Sequence, residues 1–523
     1  MKRTSPIPKA KSQSIWASTK KMPVCQRLSK DLTTDVCIVG AGIAGLTTAY
    51  LLTKSGKQVV LLDDGPIASG MTQVTTAHLT NAIDDRFTEI ERWHGEHAAR
   101  LAAQSHAAAI DRIEDIAAEL NVDCDFKRLD GYLFLAPGDD EKLLEDELAA
   151  AQRAGAEVEM ISRSPLDSFD TGPCLQFRNQ GRVHIYKYLA AMASAIKKQG
   201  GKICTNSHAD SIEGGDEATV KVGDYTVTAS AVVVATNTPI NDRFAIHTKQ
   251  FPYMTYVIGA RVPRGSVADG LFWDTLDAYH YVRLQELEPE DGEQEAEYDL
   301  LIVGGEDHKT GQADDADERH QRLQAWTKQR FPIEDIEFTW GGQVMETMDG
   351  LAFIGRNPMD KDNVFIATGD SGMGITHGTI AGMLLTDMIL GRDNPWAQLY
   401  DPSRKTLRAA GVFAKENLNV AGQYTDWVTP GEVESADEVE RGCGAIVRRG
   451  MTKVAVSRDE NGKVTELTAV CPHLECIVHW NNAEKTWDCP CHGSRFHAEG
   501  QVVNGPANIN LAPAEEATAE VNA

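Results

Sequence analysis

The chain has 523 residues, 42% of them apolar and 24% charged, and a formal net charge of −26. That length allows about two to four domains with sizeable cores, and the mix is that of a globular protein. The surplus of carboxylates argues against a nucleic-acid partner, whose phosphates would be repelled, and suits a cationic small molecule such as an amine.

Residues 1–33, opening "MKRTSPIPKAKSQ", are basic and polar and read as an arm laid on the surface. They lack the apolar stretch of a secretory signal. No run approaches the ~18 apolar residues of a membrane span, so the expectation is a cytoplasmic protein without a transmembrane segment. Of the ten cysteines, Cys25, Cys37, Cys124, Cys174, Cys204 and Cys443 stand singly, as buried inert thiols do. The other four fall between 471 and 491.

Residues 35–64, "DVCIVGAGIAGLTTAYLLTKSGKQVVLLDD", read as strand, glycine turn, helix and strand. Gly40, Gly42 and Gly45 form G-x-G-x-x-G, with Ala44 inside the turn. The first two glycines allow a tight turn and close approach to a pyrophosphate, and the third lets helix and strand pack. Asp63, at the end of the next strand, is placed for a ribose 2′-hydroxyl. The pattern specifies a dinucleotide site. "LIVGGED" at 301–307 has a strand but no third glycine or following helix, so a second nucleotide is unsupported.

The spacing predicts a long helix or helix pair over 85–120, where His94 and His97 are open to metal binding or to packing. A strand "YLFLA" and a helix over 141–154 follow, then a helix-strand unit and the hairpin-like "ATVKVGDYTVTAS". "YMTYVIGARV" and "YHYVRLQ" alternate as antiparallel strands do. The acidic tract 286–297 reads as a solvated loop. After the strand "NVFIATGDSGMG" comes an apolar helix to Leu390, and from about 440 the chain turns to short strands. The expected division is an arm (1–33), an oxidoreductase body (34–425), a linker (426–438) and a small C-terminal domain (439–523).

"VGAGIAGLTTAYLL", "AVVVATNT" and "DGLAFIG…NVFIATGDSGMGITHGTIAG" together resemble the D-amino-acid-oxidase-like flavoprotein superfamily, which includes glycine, sarcosine and γ-glutamylputrescine oxidases. The resemblance implies an α/β FAD-binding Rossmann-like domain, with parts about 34–85, 180–245 and 345–395. It adds an α+β antiparallel-sheet substrate domain, about 125–165 and 250–345. It places Gly372, Met373, Gly374 and Thr376 against the isoalloxazine and Ala209, Ala235 and Thr236 near the adenine end. Thr72, Thr75 and Thr76 fall in the loop 69–80 that passes the ribityl and phosphates. Some relatives bond FAD through a histidine of this loop; the aligned residue here is Val74, so the expected FAD is non-covalent. His78 and His377 are candidate general bases beside the flavin. Tyr256 and Trp340, with Tyr253 and Tyr281, are candidates for the substrate wall.

Near the C-terminus, Cys471-x-His473 and Cys489-x-x-His492 combine two thiols with two imidazoles. Tetrahedral zinc takes the same ligand types but usually in other spacings. "AVCPH" and "DCPCHGSRF" resemble the Rieske pattern, in which two thiolates and two imidazoles hold a [2Fe–2S] cluster. In the Rieske proteins of cytochrome complexes, cysteines at the places of Cys476 and Cys491 form a disulfide, which the resemblance implies here; free, packed thiols are the alternative. Ser494 matches a serine that donates to a cluster sulfide, and Phe496 replaces a frequent tyrosine donor, so the expected potential is lower than in those proteins.

A bacterial family joins these two modules, and the chain resembles it end to end. The implied activity is oxidation of an amine or amino acid at FAD, with electrons passing through the cluster to an external acceptor. Inward flow from an external donor, driving reductive or monooxygenase chemistry, and a non-catalytic redox protein are the other readings. Substrate identity and any homo-oligomer stay open.

Overall fold

The computed structural model describes residues 11–242, 244–289 and 296–515; the first ten residues of the arm, the centre of the acidic tract and the final eight residues lie outside the described residues. Leu32–Val39 is the centre of the first layer. Its "VCIV" run is apolar on both faces, as a strand covered on both sides must be. It pairs in parallel with Val59–Leu62 and with Tyr225–Val234, which in turn pairs in parallel with Val364–Thr368. Lys202–Cys204 extends the parallel edge beyond Val59–Leu62. The predicted hairpin is present as Ala218–Val222 against Tyr225–Val234.

Two helices cover this sheet and set the position of the site. Ile43–Lys54 packs closely on Gly374–Ile389 because glycines let the backbones approach: a Cβ at Gly378 would lie 2.6 Å from Ile43 Cγ2, and one at Gly382 would lie 2.4 Å from Thr47 Cγ2. The predicted long helix over 85–120 is a pair, Arg86–His94 and Glu96–Glu119, broken at Gly95, whose φ is +85°. His94 Nε2 bonds the Asp349 carbonyl at 2.8 Å, so this ring is packed.

A ten-stranded mixed sheet forms the second layer among the described residues. Gln250–Pro263 lies at its centre, antiparallel to both Tyr298–Lys309 and Asp335–Thr347. Cys174–Arg182 also belongs to it, antiparallel to Lys127–Phe134. The arm is not simply laid on the surface: Ile15 and Trp16 of the helix Ile15–Thr19 are buried in the main core. Beyond the helix Ala410–Gln423, a three-stranded sheet (Cys443–Arg449, Thr452–Arg458, Val464–Thr468) and a four-stranded one (His479–Asn481, Thr486–Asp488, Arg495–His497, Val502–Asn504) form a small all-β unit. Among the described residues no helix is long and apolar enough to cross a membrane.

Candidate functional site

A cavity of about 680 Å³ runs between the two layers, within the range of roughly 300–1,000 Å³ common for ligand sites. One end is the glycine turn. Gly40 takes φ +106°, and a Cβ there would fall 2.3 Å from the Ala235 carbonyl oxygen. The predicted Gly42, Ala44, Asp63, Ala209, Ala235 and Thr236 all line this end. Gly45 packs instead, its Cβ direction closed by Gly40 O at 1.8 Å. Asp63 accepts from Ala41 N at 2.6 Å and Gly65 N at 2.9 Å, while burial pushes its carboxyl up to about 7. The bare cradle and the ring of N–H donors at a helix N-terminus fit an FAD pyrophosphate and ribose.

The loop 69–80 is pinned through its carbonyls. Trp16 Nε1 donates to Thr75 O at 2.6 Å, Trp340 Nε1 to Val74 O at 2.8 Å, and Arg283 Nη1 to Ala77 O at 2.8 Å. Arg283 is fully buried, and desolvation lowers its pKa to about 9. Thr72, Val74, Thr75 and Thr76 consequently face the cavity.

Gly372, Met373 and Gly374 line the opposite wall, where a Cβ at Gly372 would meet Asp84 Oδ2 at 2.2 Å. Thr376 is not on that lining; its hydroxyl donates to Met373 O at 3.1 Å and so fixes the helix start. His78, His377 and Tyr281 line the cavity. Burial presses His78 down to about 3 and His377 to about 4, so both rings are neutral, weak bases at ordinary pH. Tyr256 and Trp340 are not brought to the lining. Tyr256 points to the other face of its strand, where its hydroxyl meets His308 Nε2 at 2.9 Å, and Trp340 serves as the loop anchor.

Sequence reasoning missed the cavity's acids. Asp84, Asp307, Glu346 and Asp370 line it, with Tyr279 beside Asp84. The one available signal was charge inside apolar strand patterns, as in "IVGGED" and "GGQVMETM".

In the small unit, the loops 471–476 and 489–494 face each other. Cys476 and Cys491 form a disulfide, with Cα atoms 6.4 Å apart. Cys476, Cys489 and Cys491 sulfurs crowd within 4.8 Å, but two of the three are consumed by that bond. The His473 and His492 rings are 5.0 Å apart, and both are at least nine-tenths buried. His492 Nδ1 is a buried nitrogen without a hydrogen-bond partner among the described residues, and burial lowers its pKa to about 3, keeping the ring neutral. Two thiols, two imidazoles and a buried ring nitrogen of His492 fit a [2Fe–2S] cluster that Cys471, Cys489, His473 and His492 would hold. The Ser494 hydroxyl hydrogen-bonds at Cys471 and Ala507 N, while Phe496 is fully buried.

The two sites share a wall. His247 stacks edge-on against His473 at 4.8 Å and lies 6.1 Å from His492. Gln343, on the cavity lining, donates to Gly493 O at 2.9 Å and Thr310 Oγ1 at 3.2 Å, and accepts from Asn504 Nδ2. Asn504, Gly505, Ala507 and Asn508 themselves line the cavity, and Asn508 Nδ2 donates to Ala209 O at 2.8 Å. On the far side, Tyr424 and Trp427 clasp the first loop through Leu474 O at 2.7 Å and Glu475 O at 2.9 Å.

Residues 35–388 match the FAD dependent oxidoreductase family, and residues 429–515 match the Rieske [2Fe-2S] domain. The chain is 29% identical to the Rieske 2Fe-2S iron-sulfur protein designated YhfW of Bacillus subtilis (strain 168), over 95% of this chain and 96% of that protein. It is 26% identical to gamma-glutamylputrescine oxidoreductase of Escherichia coli (strain K12), over 72% of this chain and 88% of that one. Glycine oxidase from Geobacillus kaustophilus shares the fold, with a TM-score of 0.58 at 16% identity, covering 72% of this chain and 99% of its own. The chain therefore belongs to the family of FAD dependent oxidoreductases and carries a C-terminal Rieske domain, an enzyme whose cofactors are FAD and a [2Fe–2S] cluster.

Proposed function

We propose that this enzyme oxidises the C–N bond of an amine or amino acid and that the electrons leave through the Rieske cluster to an external one-electron carrier protein. One observation carries the reading: Gln343 lines the cavity and bonds the carbonyl of Gly493, the residue next to His492. FAD supplies acceptance of a hydride from the carbon bearing nitrogen, and the cluster supplies one-electron carriage.

The chain's own residues prepare the substrate. A substrate ammonium must shed a proton before its α C–H bond can give up a hydride. His78 and His377 are too weakly basic for that task, whereas burial tunes Asp84 and Asp370 to about 6 and Asp307 to about 7. One of these carboxylates takes the proton, and Tyr279 and Tyr281 close the pocket around the amine. Loss of a hydride and a proton leaves an imine, which water hydrolyses to a carbonyl compound and a smaller amine or ammonia. The hydride's two electrons leave singly to two equivalents of oxidised carrier, and its proton is released to water. A cytoplasmic location belongs to the same proposal.

Anaerobic mixing of the holoenzyme with an amine and amino-acid panel tests it, following flavin absorbance and the spectrum of the reduced cluster. The expected result is flavin bleaching by at least one amine, then cluster reduction in the same sample. Reduction only by reduced ferredoxin, with every amine and amino acid silent, would replace the proposal with inward electron flow.

A further inference from the structure

The cavity lining names eight carboxylates and a single arginine, Arg86, among the described residues. Asp63 and Asp64 belong to the glycine-turn end. Of the others, Asp84, Asp307, Glu346 and Asp370 form one electrostatic group: each of the other three raises the pKa of Glu346, as does Asp85 behind them. They come from four separate chain segments. An α-amino-acid carboxylate entering this group would meet repulsion from several sides. Arg86 sits beside Asp84, and His208, whose pKa is raised by Asp64, belongs to the glycine-turn end.

The group is also short of partners. Asp307 Oδ1 and Asp85 Oδ2 are closed to solvent and have no hydrogen-bond partner among the described residues. Asp307 keeps a hydrogen bond to Thr255 and feels Arg319, while Asp84 is bonded by Tyr279 and Asp370 by Met345 N at 3.3 Å. Burial, and after it the charges of Asp85, Asp84, Asp370 and Asp307, hold the Glu346 carboxyl well above the usual range. Buried carboxylates crowded together with fewer cations than charges are costly unless a ligand supplies what is missing. A single ammonium satisfies one or two of them; the group as a whole asks for more.

We infer that the substrate is an amine with at least two separated positive charges and no carboxylate, a diamine or polyamine, gripped by Asp84, Asp307, Glu346 and Asp370. The inference rests on the amine-oxidation reading above and narrows it. One ammonium sits at the flavin wall beside Asp84 and Gly372 and is the nitrogen that is oxidised. The distal ammonium pairs with the Asp307 and Glu346 side. The pairing brings cationic N–H donors to the carboxylates that line the cavity and removes the cost of ionising neighbouring acids together.

The test compares matched pairs on the holoenzyme: 1,4-diaminobutane against n-butylamine, and spermidine against glycine, sarcosine and proline. Calorimetric Kd and anaerobic flavin-reduction rates are both read. The expected result is a Kd about tenfold or more lower for the dication than for its monocation partner. In Asp307→Asn and Glu346→Gln that gap should narrow, with full flavin content showing that the fold is kept. Equal affinity for the diamine and monoamine, or stronger binding of an α-amino acid than of any polyamine, would overturn the inference while leaving amine oxidation standing. If spermidine binds tightly but no amine bleaches the flavin, the oxidation reading fails and the site's preference for dications is upheld.

Discussion

Gln343→Leu removes the side chain that ties the flavin cavity to the cluster loop while keeping its volume. Gln343 is only 3% exposed, and its amide holds Gly493 O, Thr310 Oγ1 and Asn504 Nδ2. Leucine leaves the Gly493 carbonyl and the Asn504 amide without this partner in a buried interface. Each such loss costs about 1–3 kcal/mol, so the docked arrangement weakens by roughly 2–6 kcal/mol. Even the lower figure shifts docking by about twentyfold or more, since 1.4 kcal/mol is a factor of ten. Hydrogen exchange by mass spectrometry reads the effect directly. Peptides over 489–494 and 502–508 should lose protection, while those over 32–62 in the parallel sheet should not. In stopped-flow mixing with a reducing amine, flavin bleaching should keep its rate while the cluster signal lags. Unchanged protection over 489–508 together with unchanged cluster reduction would refute the view that this amide holds the two units together.

Gly40→Ala should abolish FAD retention, because its Cβ would lie 2.3 Å from Ala235 O at a φ of +106°; purified protein should be colourless at the flavin band yet keep its Rieske spectrum. Cys476→Ser opens a loop closed over 15 residues, which chain-entropy arguments value at about 3 kcal/mol; the cluster absorbance should be lost at lower temperature than in wild type under oxidising conditions. Burial raises Asp84 to about 6 and Asp307 to about 7, with Arg86 and Arg319 opposing. A carboxylate grips a cation only when ionised, so dication affinity should fall as pH drops through about 7 to 6, while Glu346, held well above the usual range by burial and its acid neighbours, lets it go on rising above pH 7; a Kd that is flat between pH 6 and 7 contradicts the assignment. Redox titration should place the cluster below the Rieske proteins of cytochrome complexes, since Phe496 offers no hydroxyl to a cluster sulfur; a value among their highest overturns this.

Local chemistry was legible and tertiary chemistry was not. The G-x-G-x-x-G turn and the two Cys/His loops could be read because each motif is set within a few residues, by a turn that only glycine permits or by ligand spacing. Ala209 and Ala235, far apart in sequence, were reachable only through resemblance. Asp84, Asp307, Glu346 and Asp370 meet because two strands of one sheet and two helix starts converge on them, and no pattern in any one segment announces that. Tyr256 and Trp340 show the limit of strand reading. Alternation gives two faces but not which one borders the cavity, and Tyr256 faces His308 and His320. Trp16 was hidden for another reason: a single aromatic in a basic arm looks solvated until Thr75 O and the Arg283 guanidinium close around it.

One strand makes the two centres a single device. Asp335–Thr347 carries Gln343 and Glu346 three residues apart, a span of about 10 Å along a strand. Glu346 belongs to the acid group, and Gln343 holds the loop of His492. A substrate cation drawn to Glu346 therefore acts on the same rigid element that seats the cluster loop. The imidazole face is covered from inside by His247, while the outer side of the first loop is clasped by Tyr424 and Trp427. Tyr424 is 38% exposed and stands there with its hydroxyl on Leu474 O, so the clasped side of the first loop borders the surface at this residue.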